Sequence, residues 1–488
     1  MVCVTSIPPR SQQVEKEQAE IQLPAISVFN PVDIIYNEYD QDEIVGMSFE
    51  ASISELAELL DAGAFTGVEL VEYYLERIEE YNSEFNCFIT ICDDALEVAK
   101  LRDEQRANGE ILGKLHGVPI VVKDNIDVEG YPTTNGEIWR KNNIASDSAN
   151  VVQKLVDAGA VIIGKTNMST AAYYAEHSVS DIQGETKNAY CLGYSAGGSS
   201  GGTAVAVSLN FAAAGLGTDT NSSLRIPAAY SATVSLRASF GLIDTDGVVP
   251  LNLNRDVLGT ITKTVEDQAM MLDVMTDNKY SFYDNLDVDS LNGARIGYLV
   301  QLCEPGYNFP FNLNAVDREV VDAVKNAAED MEKAGATVIR VEMPQLFYYN
   351  STRSLDAMYS NLKSLFNQYD LDGIIFPACL SEIPPSGFNS SGVPIAQTKE
   401  FINPVRYFSS PLGLPEICIP MGYTEEGLSI GLEILGLKGS EQTLLDLAYS
   451  YEQATQYRVT SPLAPNLSQY DSADIDDYMY ILSKKESA

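Results

Sequence analysis

Two small-residue loops, Gly197-Gly198-Ser199-Ser200-Gly201-Gly202 and Thr218-Asp219-Thr220-Asn221-Ser222-Ser223, are tied together by one short apolar connection, with Ser199 and Ser223 only 24 residues apart. Thr203 to Val207 is small and apolar like a buried helix, and Phe211 to Leu216 reads as a buried strand. A helix followed by a strand brings the chain back to where it started. Roughly nine helical residues rise about 13 Å, and five or six strand residues return about 17 to 20 Å. The two loops are therefore expected to border one pocket. Glycines beside Ser199 and Ser200 permit tight bends and close approach of main-chain N–H groups to a ligand. The two hydroxyls are expected at a helix N-terminus, where developing negative charge is favoured.

A third element lies upstream. Gly117-Val118-Pro119-Ile120-Val121-Val122-Lys123-Asp124-Asn125 is an apolar strand that ends on a lysine and then turns polar. Burial disfavours the ammonium form, so a lysine at that place can be neutral near about pH 7 and accept a proton. The two serine loops and Lys123 read as three parts of one hydrolytic site.

Other motifs compete for the same residues. Gly193-Tyr194-Ser195-Ala196-Gly197 fits the G-x-S-x-G nucleophile elbow, but its partners must follow in the order Ser, Asp, His. The chain has two histidines, His116 and His177, and both precede Ser195. A Ser-His site of another order stays open. Ser360-Asn361-Leu362-Lys363 matches S-x-x-K, yet it sits in an ordinary helical stretch without S-D-N or K-T-G and reads as accidental. The glycines lack the G-K-[ST] of a phosphate loop, and Gly215-Leu216-Gly217 lacks the rest of a dinucleotide fingerprint. No metal-binding pattern is present, and neither a metal nor a cofactor is expected. A glycine–serine run also has the composition of a flexible linker, but this one feeds directly into apolar sequence. A structural turn stays open beside a catalytic loop.

Around the loops the pattern is that of α/β layering. Ser52 with Glu55 and Thr66 with Glu69 form capping boxes ahead of amphipathic runs, and Gly63 ends the first helix. Asn150 to Ala158 then Ala160 to Gly164, and Asp317 to Ala334 then Thr337 to Val341, read as helix followed by strand. Residues 1–48 hold Pro8-Pro9 and a polar stretch and are expected to form an irregular arm, with 49–488 as a single large domain. A formal net charge of −38 would repel nucleic acid and anionic membranes, so neither is an expected partner. The seven cysteines are scattered, as suits free thiols in a reducing compartment. No secretory h-region and no apolar run of roughly 18 residues is apparent, so no membrane anchor is expected and the cytoplasm is the expected location.

The motifs already quoted, with Thr66-Gly67-Val68-Glu69-Leu70, Gly164-Lys165-Thr166-Asn167-Met168, Leu412-Gly413-Leu414-Pro415 and Tyr451-Glu452-Gln453-Ala454-Thr455, make the chain resemble the amidase signature family over most of its length. The resemblance implies one α/β domain, a mixed central β-sheet covered by helices on both faces. It implies a Ser-cisSer-Lys triad in which Ser223 matches the nucleophile, Ser199 the serine after a cis peptide bond, and Lys123 the base. It places an oxyanion hole at the N–H groups of Thr220, Asn221, Ser222 and Ser223. Ser200 matches a hydroxyl near the lysine, and Asp219 and Arg225 match residues that hold the loop in shape.

The chain also departs from the family. Asn221 and Ser222 stand where the family run Thr-Asp-Thr-Gly-Gly-Ser-Ile-Arg has two glycines, and Ser235-Leu236-Arg237-Ala238 replaces Gly-Leu-Lys-Pro. Asparagine tolerates positive φ better than serine does, so a reshaped oxyanion hole is expected. A longer helical insertion usual between Met343 and Asp372 is reduced to one helix-like stretch, Thr352 to Gln368, which suggests a more open mouth. The leading expectation is an amidohydrolase acting on a small-molecule or peptide amide, with a homodimer as the oligomeric option. The alternatives are a glutaminase-type subunit of an amidotransferase and a catalytically impaired binding protein.

Overall fold

The structure is a computed structural model that describes residues 41–304, 317–343, 355–398 and 409–468. Its strands are β1 (Phe88–Ile91), β2 (Pro119–Lys123), β3 (Val161–Thr166), β4 (Val179–Ser180), β5 (Gly184–Glu185), β6 (Ala214–Asp219), β7 (Val234–Arg237), β8 (Val257–Thr262), β9 (Arg295–Leu299), β10 (Thr337–Val341), β11 (Gly373–Pro377), β12 (Glu416–Tyr423) and β13 (Ser429–Leu435). Eleven of them form one sheet in the order β1-β3-β2-β6-β8-β7-β12-β13-β11-β9-β10, and β4 pairs with β5 alone. The sheet is mixed. β2 runs parallel to both β3 and β6, and β9 parallel to both β10 and β11, while the pairs from β6 through β8, β7, β12 and β13 to β11 are antiparallel. β2 and β6 are buried along their whole length, as near-continuous apolar runs in a covered sheet must be.

Both capping boxes form. Ser52 and Thr66 each accept the N–H of the glutamate three residues on, which reaches back to the cap N–H, and the helices Ile53–Ala62 and Gly67–Phe85 follow. Gly63 ends the first helix with φ 69°. The helix Arg318–Lys333 and strand β10 fall where expected. β3 runs two residues past the expected Gly164, through the buried Lys165 and Thr166.

The connection between the serine loops is the helix Gly201–Ser208 followed by β6. The strand starts at Ala214, three residues later than Phe211, and the reason is local. Asn210 takes φ 55°, its N–H bonds the Val207 carbonyl at 3.2 Å, and the Phe211 N–H bonds the Ala206 carbonyl at 2.8 Å. This is the Schellman pattern, which uses Asn210 and Phe211 to close the helix before a strand can begin. The helix is buried on all sides and rests on β2, β3, β6 and β8. Gly215 lets it approach, since a Cβ there would lie 2.5 Å from Thr203 Cγ2.

Residues 1–40 of the expected irregular arm lie outside the described residues. Its last part, Gln41–Gly46, is helical, with Ile44 and Val45 buried in the main core. The helix-like stretch expected at 352–368 is the helix Leu355–Tyr369, and residues 344–354 beside it lie outside the described residues. No helix among the described residues is long and apolar enough to cross a membrane. The six described cysteines are free.

Candidate active site

Lys123 lies at the carboxyl end of β2, and its parallel neighbour β6 ends in Thr218 and Asp219. In α/β sheets the carboxyl ends of parallel strands are where loops converge on a ligand. Lys123 is fully buried, and its Nζ donates to Ser199 Oγ at 2.7 Å and to Thr218 Oγ1 at 2.8 Å. Asn125 Nδ2 donates to the same threonine hydroxyl at 3.1 Å, so Thr218 is held from two sides and fixes where the amine sits. Burial pulls the Lys123 pKa down to about 7, against the opposing pull of the Asp219 and Asp256 carboxylates. A second buried lysine, Lys165, pairs with Asp124 at 3.6 Å and donates to Thr133 Oγ1. Of the two, Lys123 is the one bonded to a serine.

The two serine loops meet, as their spacing predicts. The Ser200 N–H donates to the Ser223 carbonyl at 3.1 Å, and the Gly198–Ser199 peptide bond is cis. Ser200 precedes the first turn of the helix Gly201–Ser208. Its hydroxyl donates to the Thr218 carbonyl at 3.2 Å, and Thr218 is the residue whose own hydroxyl receives the Lys123 amine. The glycines permit the expected tight bend, Gly197 taking φ 68°, and they also admit neighbouring backbone. A Cβ on Gly198 would stand 2.2 Å from the His177 carbonyl and one on Gly202 would stand 2.3 Å from the Asn167 carbonyl.

Thr220, Asn221, Ser222 and Ser223 line a cavity of about 410 Å³, facing Tyr173, Tyr174 and Glu176, with Leu251, Asn252 and Arg255 beside them. The Ser223 hydroxyl has no hydrogen bond among the described residues, and the Ser199 hydroxyl is bonded to Lys123. The loops that carry them are joined through the backbone, by the Ser200 N–H to the Ser223 carbonyl. Neither Asn221 nor Ser222 takes a positive φ, so the non-glycine residues sit in this loop without entering the left-handed region.

Beneath the loop lies a buried charge network. Asp219 pairs with Arg225 at 3.1 Å and with Arg237 at 2.9 Å, and Arg225 also pairs with Glu416 at 2.8 Å. Burial alone would raise the Asp219 pKa, but the two guanidiniums more than reverse this and hold the carboxyl below its usual range. Asp219 Oδ2 accepts the Leu224 N–H, and Arg225 Nη2 donates to the Asn221 carbonyl at 3.1 Å, which Ser410 Oγ also reaches at 3.0 Å. Asp219 and Arg225 therefore clamp the chain on both sides of Ser223. Thr218 and Arg237 stand in the quoted motifs, but the sequence assigned neither a role. The signal was present for Arg237, because β7 is an apolar strand ending on a cation, the same pattern that marked Lys123.

The rival motifs are set aside by their surroundings. Ser195 Oγ donates to the Glu176 carbonyl at 2.8 Å and is buried. His116 bonds the Arg102 carbonyl at 2.8 Å, and His177 meets Gln397 Nε2 at 2.8 Å and stacks on Tyr174. Burial lowers the His177 pKa to about 4. Ser360 and Lys363 are exposed on the helix Leu355–Tyr369. No group of metal-ligating side chains occurs among the described residues.

A buried lysine bonded to a serine, with a second serine loop facing a cavity at the carboxyl ends of parallel strands, defines a serine–lysine site on an α/β fold. The chain belongs to the amidase family, whose model matches residues 69–361. It is similar to the A subunit of glutamyl-tRNA(Gln) amidotransferase from Alkaliphilus metalliredigens, at 29% identity over 472 residues, covering 80% of this chain and 93% of the relative. The equivalent protein of Nostoc sp. is 29% identical over 489 residues, covering 84% and 99%. Among solved structures it resembles peptide amidase from Stenotrophomonas maltophilia, with 26% identity, a TM-score of 0.72, and 86% and 99% of the two chains covered. An amidase family protein from Bacillus anthracis, 24% identical with a TM-score of 0.71 over 91% and 99%, shares the fold.

Proposed function

We propose that the protein hydrolyses a carboxamide to a carboxylate and ammonia or an amine through an acyl-serine intermediate on Ser223. The observation that carries this reading is the buried Lys123 amine, 2.7 Å from Ser199 Oγ, in a loop hydrogen-bonded to the residue whose hydroxyl faces the cavity. Neutral Lys123 takes the Ser199 proton while Ser199 takes that of Ser223, and the Ser223 oxygen attacks the amide carbon. N–H groups of Thr220, Asn221, Ser222 and Ser223 receive the oxyanion, a contribution worth roughly a hundred- to a thousandfold in rate per donor. Collapse of the tetrahedral adduct breaks the C–N bond, and Ser199 returns the proton to the departing nitrogen. Water then attacks the acyl-serine, giving its proton to the same relay, and the acid and free Ser223 are released.

The pH profile tests the base. The active form carries a neutral Lys123, which is populated above its pKa of about 7. Activity as kcat/KM is therefore expected to rise with pH through about 7 and to fall tenfold per unit on the acid side. A profile that is flat across this region, or that falls as pH rises, would rule out Lys123 as the base.

The similarity to amidotransferase A subunits over more than four-fifths of the chain in several relatives supports a second reading, a glutamine-handling component that works with partner chains. The net charge of −38 disfavours close contact with tRNA. Turnover of a non-glutamine amide by the isolated chain would favour the first reading.

A further inference from the structure

Among the described residues, Arg255 is the one cation lining the cavity beside Ser223. Its main chain is tied down, the carbonyl accepting from Arg237 Nη2 at 2.8 Å. Among the described residues its guanidinium makes one long contact, from Nη1 to Asn221 Oδ1 at 3.4 Å. Among the described residues it forms no ion pair, although the chain has 69 acidic residues against 31 lysines and arginines. The adjacent Asp256 forms no ion pair with it; that carboxylate is turned to Thr220 Oγ1 at 2.6 Å and to the Leu251 and Asn252 N–H groups at 2.8 Å each. Glu176, on the facing wall, accepts the Ala175 N–H at 3.1 Å. An arginine that served only to hold Asn221 would leave most of its five donors unused. The planar fork of a guanidinium matches a carboxylate with two parallel hydrogen bonds. A strongly acidic protein that takes an anionic ligand also needs a local cation to receive it.

We infer that Arg255 is a specificity-determining residue that receives a carboxylate carried a short chain away from the scissile carbonyl, so that the preferred substrates are monoamides of small dicarboxylic acids. This rests on the amidase reading of the same cavity. Asn221, which replaces a family glycine, then has a role of its own, since its side-chain carbonyl orients the guanidinium at the edge of the nucleophile loop.

A binding measurement separates this inference from the chemistry. Calorimetric titration of the folded Ser223→Ala protein with succinamate and with the nearly isosteric neutral succinamide is expected to favour succinamate by about ten- to a hundredfold, the range of a charge-assisted contact. Adding Arg255→Met should bring the ratio towards one, and Arg255→Lys should keep part of the preference. Equal weakening of both ligands in Arg255→Met, with the ratio unchanged, would make Arg255 a loop-shaping residue and overturn the inference. Absence of any preference in the Ser223→Ala protein, including failure of both ligands to bind, would overturn it too. A protein that shows the preference but hydrolyses no amide would instead count against the proposed function.

Discussion

Replacing Ser223 with alanine is expected to lower amide turnover by a factor on the order of a million, the loss that follows when the nucleophile of a serine hydrolase is removed. The fold should survive, because the Ser223 hydroxyl faces the cavity and makes no hydrogen bond among the described residues, while its carbonyl still receives the Ser200 N–H. Ser200→Ala provides the contrast. That hydroxyl bonds the Thr218 main chain, so its loss should cost about 1 kcal/mol of stability and act on turnover only through the position of Thr218. Steady-state rates with any accepted amide, alongside circular dichroism, decide the matter. If Ser223→Ala kept turnover within tenfold of the unaltered protein, or if Ser200→Ala were the more damaging change, the assignment of the nucleophile would be wrong.

Asp219→Asn is expected to destabilise the fold by about 3 to 5 kcal/mol, the usual cost of removing one partner of a buried ion pair. Asp219 is fully buried between Arg225 and Arg237. Asparagine keeps the shape and removes the charge, so the loss is electrostatic rather than a cavity effect. Arg225 retains Glu416 at 2.8 Å, whereas Arg237 has no other carboxylate partner among the described ion pairs, and the cost should fall mainly there. A double-mutant cycle with Arg237→Met makes the point testable, because removing both charges should recover much of the loss. Denaturant unfolding of the four proteins gives the coupling, and a single Asp219→Asn variant within 1 kcal/mol of the parent would contradict this account of the network. Turnover should fall as well, since Asp219 holds the Leu224 N–H just after the nucleophile.

The site was legible in sequence where local physics controls the outcome. An apolar strand ending on Lys123 and the glycine–serine loop before a small-residue helix both mark elements whose burial follows from their composition, and the helix-then-strand return brought the two loops together. The capping boxes at Ser52 and Thr66 were readable for the same reason, because each depends on residues three positions apart. What escaped depended on long-range packing. The contact of Thr218 with Lys123 spans 95 positions, and that of Ser410 with the Asn221 carbonyl in the nucleophile loop spans 189. No periodicity reports such contacts. The crowding of Gly198 and Gly202 was hidden for the same reason, since the carbonyls of His177 and Asn167 that press on them come from other segments. The start of β6 was misplaced because Phe211, apolar enough for a strand, is spent on closing the preceding helix.

In the proposed relay Lys123 and Ser199 activate Ser223. Its most direct test is intact-mass analysis after treatment with a fluorophosphonate, which reports an activated serine whatever the substrate is. The account predicts a single adduct that maps to Ser223 on the folded protein and is lost in both Ser223→Ala and Lys123→Ala. Absence of an adduct on the folded protein, or an adduct that persists in Lys123→Ala, would contradict it.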